Sequence, residues 1–200
     1  MPLCLRWVDE QKKVKRLMPI EDMILIVIFL EATLFSIFFI FGPLFVFSRK
    51  GITSLTELRT LGYFFAIGIA FILIEICLMQ NFVLFLGVPV YAIAVVLFSL
   101  LSSSGIGALV SGAIKTPSSK HIGIVMTVIL LLVVVLNYCL PYGIQYFLGS
   151  SFWIRVFVSM AFIFPLGLVM GMPFPLGMRL LDSTENRLVP WAWGINGYAT

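Results

Sequence analysis

The chain has 200 residues, of which 61% are hydrophobic and only 11% charged, with a formal net charge of +4 and a mean hydropathy of +1.12. A soluble domain is nearer ~45–50% apolar and ~25% charged, and one of this length still leaves roughly a third of its unfolded surface in water. The composition therefore excludes an ordinary water-soluble globule and points to an integral membrane protein. The excess of basic residues is not a nucleic-acid signal, because they cluster between apolar runs, where flanks face anionic headgroups.

The opening stretch, MPLCLRWVDEQKKVKRLMPIED, is polar and basic. A secretory signal would place a short apolar core earlier, so residues 1–21 read as a linker or an interfacial segment. Residues 22–200 read as a transmembrane helical domain. Spanning helices need ~20 apolar residues at 1.5 Å per residue, and only helices or closed barrels satisfy their backbone in lipid. The runs here are continuous rather than alternating, which favours helices.

The first predicted span runs from Met23 to Phe47, between Glu21–Asp22 and Arg49–Lys50. The second runs from Leu61 to Leu86. Gly87-Val88-Pro89 then forces a tight hairpin into a third span, Val90 to Ala113. After the polar loop KTPSSKH (115–121), a fourth runs from Ile122 to Tyr138, or past Pro141 to Phe147. The fifth runs from Phe152 to Gly171 and meets Pro173 and Pro175. After DSTENR (182–187), VPWAWGINGYAT (189–200) reads as the opening of a further helix. There Pro190 suits a first helical turn, and Trp191 and Trp193 suit the headgroup belt. The expected fold is an all-α polytopic transmembrane bundle of about five spans plus the start of a sixth. Ten residues cannot cross a bilayer, so the chain reads as truncated at its C-terminus, or this end lies at the interface.

The loops after spans one, three and five carry Arg49, Lys50, Arg59, Lys115, Lys120, Arg179 and Arg187; those after spans two and four carry no Lys or Arg. The positive-inside rule places the first set in the cytoplasm. Lys12, Lys13, Lys15 and Arg16 then fall on the wrong side, so either the first run is re-entrant or the N-terminal bias is overridden.

Glu75 interrupts FILIEICLMQ (71–80). An ionised carboxylate at the bilayer centre costs a few kcal/mol, and intramembrane acids mark functional sites by default. Gln80 and Asn81 lie beyond the i,i+4 spacing that best joins side chains on one helix, which leaves another helix or water as the partner. The functional reading is a proton- or cation-binding carboxylate on a polar path; the plain one is a protonated acid with one interhelical hydrogen bond. Glu31, within the first span, has the same two readings. Ser103, Gly107 and Ser111 recur every four residues in the third span, as do Ser104, Ala108 and Gly112, and Gly167 and Gly171 repeat the spacing in the fifth. Such stripes let helix backbones approach closely in lipid and are read as packing surfaces. Pro173 and Pro175 must break or kink their helix, and broken helices line cavities in transporters. Arg179 and Asp182, three apart, could pair at the headgroup level.

Cys4, Cys77 and Cys139 form no spaced cluster, and His121 lies alone in a polar loop, so neither a disulfide framework nor a metal site is expected. No soluble-enzyme motif is found and no cofactor is expected.

Three blocks, YFFAIGIAFILIEICLMQNFVLFLGVPVYAIAVVLFSLLSSSGIGALVSG (63–112), GMPFPLGMRLL (171–181) and VPWAWGINGYAT (189–200), together resemble the C-terminal membrane region of spermidine synthase-like integral membrane proteins. The likeness covers roughly residues 60–200. It implies a bacterial inner-membrane location and a soluble aminopropyltransferase-like or methyltransferase-like domain as partner. The family's catalytic motifs belong to that soluble domain and none occurs here, so no catalytic residue carries over. The expected role is to anchor such a domain and to form a polar path or binding site for a cationic small molecule such as a polyamine. Its expected residues are Glu75, Gln80, Pro173, Pro175, Arg179 and Asn196. The alternative is part of a membrane-bound spermidine synthase whose catalytic domain lies outside this chain.

Overall fold

The computed structural model describes residues 20–42, 54–184 and 186–200. The chain divides into two compact units, residues 1–51 and 52–200, taken separately below. The predicted N-terminal segment, the end of the first predicted span, and Arg49 and Lys50 lie outside the described residues.

In the first unit, α1 (Ile20–Ser36) continues into a π-helical turn, Ile37–Phe41. Its stretch Asp22–Phe39 is long and apolar enough to cross a membrane. Glu31 sits among exposed apolar neighbours.

The second unit contains α2 (Leu55–Leu86), α3 (Pro89–Gly112), α4 (Ser119–Phe147), α5 (Phe152–Met170), α6 (Pro173–Thr184) and α7 (Val189–Ala199), with a 3₁₀ turn, Asn186–Leu188, before α7. Together with α1, the helices α2, α3, α4 and the run Phe152–Asp182 give five segments with the length and apolarity of spans. No strand occurs among the described residues. The protein is a multi-pass, all-helical membrane protein.

Local chemistry sets the helix boundaries. α2 begins six residues before the predicted Leu61, because Ser54 caps it, its side chain accepting from the Thr56 amide at 3.2 Å. The polar turns LTELRT are invisible to an apolar-run criterion but lie inside the helix. At 32 residues, α2 is ~48 Å long, more than the hydrocarbon needs. It stops at Gly87, which takes φ +79°, a left-handed cap that glycine adopts without strain. Pro89 then opens α3 at a position needing no amide donor. α4 is capped by Ser118 and runs straight through Pro141 to Phe147.

The core lies between α2, α3, α4 and α5, where Phe82, Phe85, Val96, Leu100, Ile163 and Leu166 are fully buried. The outward faces remain apolar and exposed, as lipid-facing surface should be. At the end where α2 meets α3 and α4 meets α5, Tyr91, Tyr142, Tyr146 and Trp153 are all exposed. This is the composition of an aromatic girdle. The opposite end carries Lys115, Lys120, Arg179 and Arg187.

The small-residue stripes of α3 and α5 face each other. A methyl group on Gly107 would overlap the Leu168 carbonyl, one on Gly171 the Ser104 carbonyl, and one on Gly167 the Ser103 hydroxyl. The buried serines add no ligand chemistry, since their hydroxyls turn back onto their own helices: Ser103 donates to the Ser99 carbonyl at 2.6 Å and Ser111 to the Ala108 carbonyl at 2.6 Å. Gly112 corrects the expectation. It is exposed, with nothing near enough to touch a side chain placed there, because it ends α3 beyond the reach of α5. Trp191 is likewise buried rather than at a headgroup surface, whereas Trp193 is exposed.

Gly107→Val should lower bundle stability by about 3 kcal/mol or more, since backbone cannot yield to overpacking as a flexible side chain can. Gly112→Ala should leave it within about 0.5 kcal/mol, as for an ordinary surface change. Thermal unfolding in detergent, followed by size-exclusion fluorescence, compares the two.

Candidate functional site

The α5 helix ends at Met170, three residues before Pro173. The Gly171 amide bonds to the Gly167 carbonyl at 3.0 Å, but the Met172 amide turns to the Val169 carbonyl at 3.2 Å. That leaves the Leu168 carbonyl against Gly107. Pro173 and Pro175 fall in the first turn of α6, where missing amides cost nothing. The break therefore sits at Gly171–Met172, and the prolines begin the next helix rather than kink one.

Side chains from α2 and α7 fix this break. The Tyr63 hydroxyl donates to the Pro173 carbonyl at 2.8 Å. Phe174 packs edge-to-face on Phe64, centroids 5.7 Å apart, and on Trp193 at 4.8 Å. The Asn196 amide donates to the Phe64 carbonyl at 2.9 Å. Gly68 of α2 lies under Asn196 and Ala199, leaving no room for a side chain. Contacts rise in step along both helices, so α7 runs parallel to the first half of α2. At its start, Arg187 forms an ion pair with Glu57, a carboxylate only 3% exposed.

Between α2, α3, the α5–α6 break and α7 lies a groove of about 370 Å³. Its lining includes Phe71, Ser104, Gly105, Pro173, Pro175 and Asn196. Three of the predicted path residues, Pro173, Pro175 and Asn196, thus meet at one place.

The other three do not join them. Glu75 lies well inside α2, about three turns before its end, and is half-buried. It follows Phe71 by one turn, so it continues the face of α2 that lines the groove. No hydrogen bond or ion pair reaches its carboxylate from any described residue. The helix partner expected for it is not found among them. Gln80 is exposed and, five residues on, points to a different side of α2. Arg179 turns away from the groove, as well as from Asp182. It donates to the Ser111 carbonyl at 3.2 Å and, at 3.5 Å, to those of Gly112 and Lys115. It caps α3, where a cation complements the helix dipole.

Arg155 plays the same part at the other end, donating to the Phe85 carbonyl at the end of α2 at 2.9 Å. Sequence reasoning missed both Arg155 and Glu57. Arg155 is a charge inside an apolar run, the same signal that singled out Glu75. Glu57 was hidden by placing the start of the span at Leu61.

No protein family, characterised protein or solved structure matches the chain.

Arg187→Met removes the ion-pair partner of a buried carboxylate. The expected loss is about 2 kcal/mol, below the about 3–5 kcal/mol of a fully buried pair because Arg187 is 38% exposed. Replacing both partners, Glu57→Met with Arg187→Met, should recover most of it. Chemical denaturation in mixed micelles measures all three proteins, and equal stability of wild type and Arg187→Met would show that the pair contributes nothing.

Proposed function

We propose that this chain is the membrane domain of a spermidine synthase-like protein of the bacterial inner membrane, that it carries no catalysis of its own, and that it binds a cationic small molecule such as a polyamine. The observation that carries the reading is Glu75, a half-buried carboxylate deep inside α2 with no partner among the described residues. Such a group is costly in hydrocarbon unless something offsets its charge. A primary or secondary ammonium does so directly, since opposite charges 4 Å apart attract by about 4 kcal/mol at an effective dielectric near 20.

The groove at the helix break supplies the remaining chemistry. Its walls are apolar enough for a methylene chain, and Asn196 and the backbone at the break offer hydrogen-bonding groups beside it. Because Glu75 continues the groove-lining face of α2, a flexible polyamine could engage both. Aminopropyl transfer, as the resemblance implies, would belong to a soluble partner domain. This chain would hold that domain at the membrane and bind the amine.

The test is spermidine binding to the purified chain in lipid nanodiscs, read by scintillation proximity. Glu75→Gln keeps size and hydrogen bonding but loses the charge, so affinity should fall about tenfold or more, the equivalent of about 1.4 kcal/mol. Glu75→Asp should retain most of it. Wild-type protein that binds no spermidine, or a Glu75→Gln variant that binds it as well, would overturn the reading.

A further inference from the structure

A second cavity lies on the other half of the bundle. It holds about 230 Å³ between α2, α4 and α5, and most of its wall is aliphatic, including Leu73, Leu78, Leu136 and Leu166. Two asparagines, Asn81 and Asn137, also line it, beside Pro141. Asn81 is about one and a half turns in from the end of α2; its amide donates to the Cys77 carbonyl at 2.8 Å. The Asn137 side chain has no hydrogen-bond partner among the described residues. Pro141 adds a second unmet group: it has no amide hydrogen to give the Asn137 carbonyl one turn earlier.

Hydrocarbon offers such groups nothing, and each unmet amide or carbonyl there costs several kcal/mol. Two such groups converge on one cavity whose other walls are aliphatic. We propose that this cavity is a binding site for a small amphiphile that enters from the bilayer, an alkyl or isoprenoid body carrying a hydroxyl head. The body fills the aliphatic part. The hydroxyl, both donor and acceptor, meets the Asn137 amide and its freed carbonyl. A charged headgroup does not fit, because no acidic or basic side chain lines the cavity. The site is separate from the groove at the helix break and stands independently of the polyamine reading.

A diazirine-bearing decanol tests this, with a diazirine alkane of equal length as control. Each is photolysed with the full chain in lipid nanodiscs, and the adducts are mapped by peptide mass spectrometry. Decanol adducts should concentrate at residues 73–81 and 133–141, and excess unlabelled decanol should suppress them in the wild-type protein. The alkane should spread over all lipid-facing helices. Asn137→Leu should cut the decanol adducts about fivefold, the worth of about one neutral hydrogen bond. Equal and diffuse labelling by alcohol and alkane, or labelling that unlabelled decanol does not suppress, would overturn the proposal. The competition arm needs no variant, so it decides the matter even if Asn137→Leu fails to fold.

Discussion

The rest of the second unit depends on the direct contact of backbone with backbone between α3 and α5. In lipid the hydrophobic effect gives two apolar helices little reason to prefer each other over acyl chains. Close approach replaces it with dispersion and with weak Cα–H···O contacts. Gly107 on the Leu168 carbonyl and Gly171 on the Ser104 carbonyl are contacts of that kind. The seam also explains why α5 can stop where it does. The Leu168 carbonyl left free at its end lies against a glycine of α3, and α6 then starts with prolines that need no amide partners. The groove exists because α6 and α7 are set down beside the break by Tyr63, Phe174 and Asn196.

Charge secures the same frame at its edges. Arg155 and Arg179 each reach from one helix to the carbonyl end of another, α2 in one case and α3 in the other. Each offsets unpaired carbonyls with a positive group, which favours the helix dipole as well. Arg187 and Glu57 fasten the start of α7 to α2. Three of the bundle's basic residues therefore have structural partners, whereas Glu75 has none among the described residues. That contrast separates a carboxylate available to a ligand from charges already committed to the fold.

The spans were legible because hydrocarbon imposes a length, and apolar runs report length well. The hairpin at Gly87–Pro89 was legible because its residues carry the turn chemistry themselves. Small residues at every fourth position announced the seam, yet the spacing alone did not say where α3 outruns α5, so Gly112 was included wrongly. Proline chemistry foretold a break near residue 173, but not that the break would fall before it. The grouping of Asn196 with Pro173 and Pro175 held in space, while Gln80 and Arg179, chosen for polarity, point elsewhere. Polarity marks a residue as needing a partner; only the packing of distant helices decides which partner it meets. Glu57, Arg155 and the Asn81–Asn137 cavity are all products of that packing.

The most direct measurement is solid-state NMR of the protein in lipid bilayers, with glycine labelled at Cα and leucine at the carbonyl carbon. A cross-peak between Gly107 and Leu168 at short mixing time is the predicted result. Its absence, with Gly107 correlating instead to lipid acyl chains, would show that α3 and α5 do not meet through their backbones and would contradict the account of how this bundle is built.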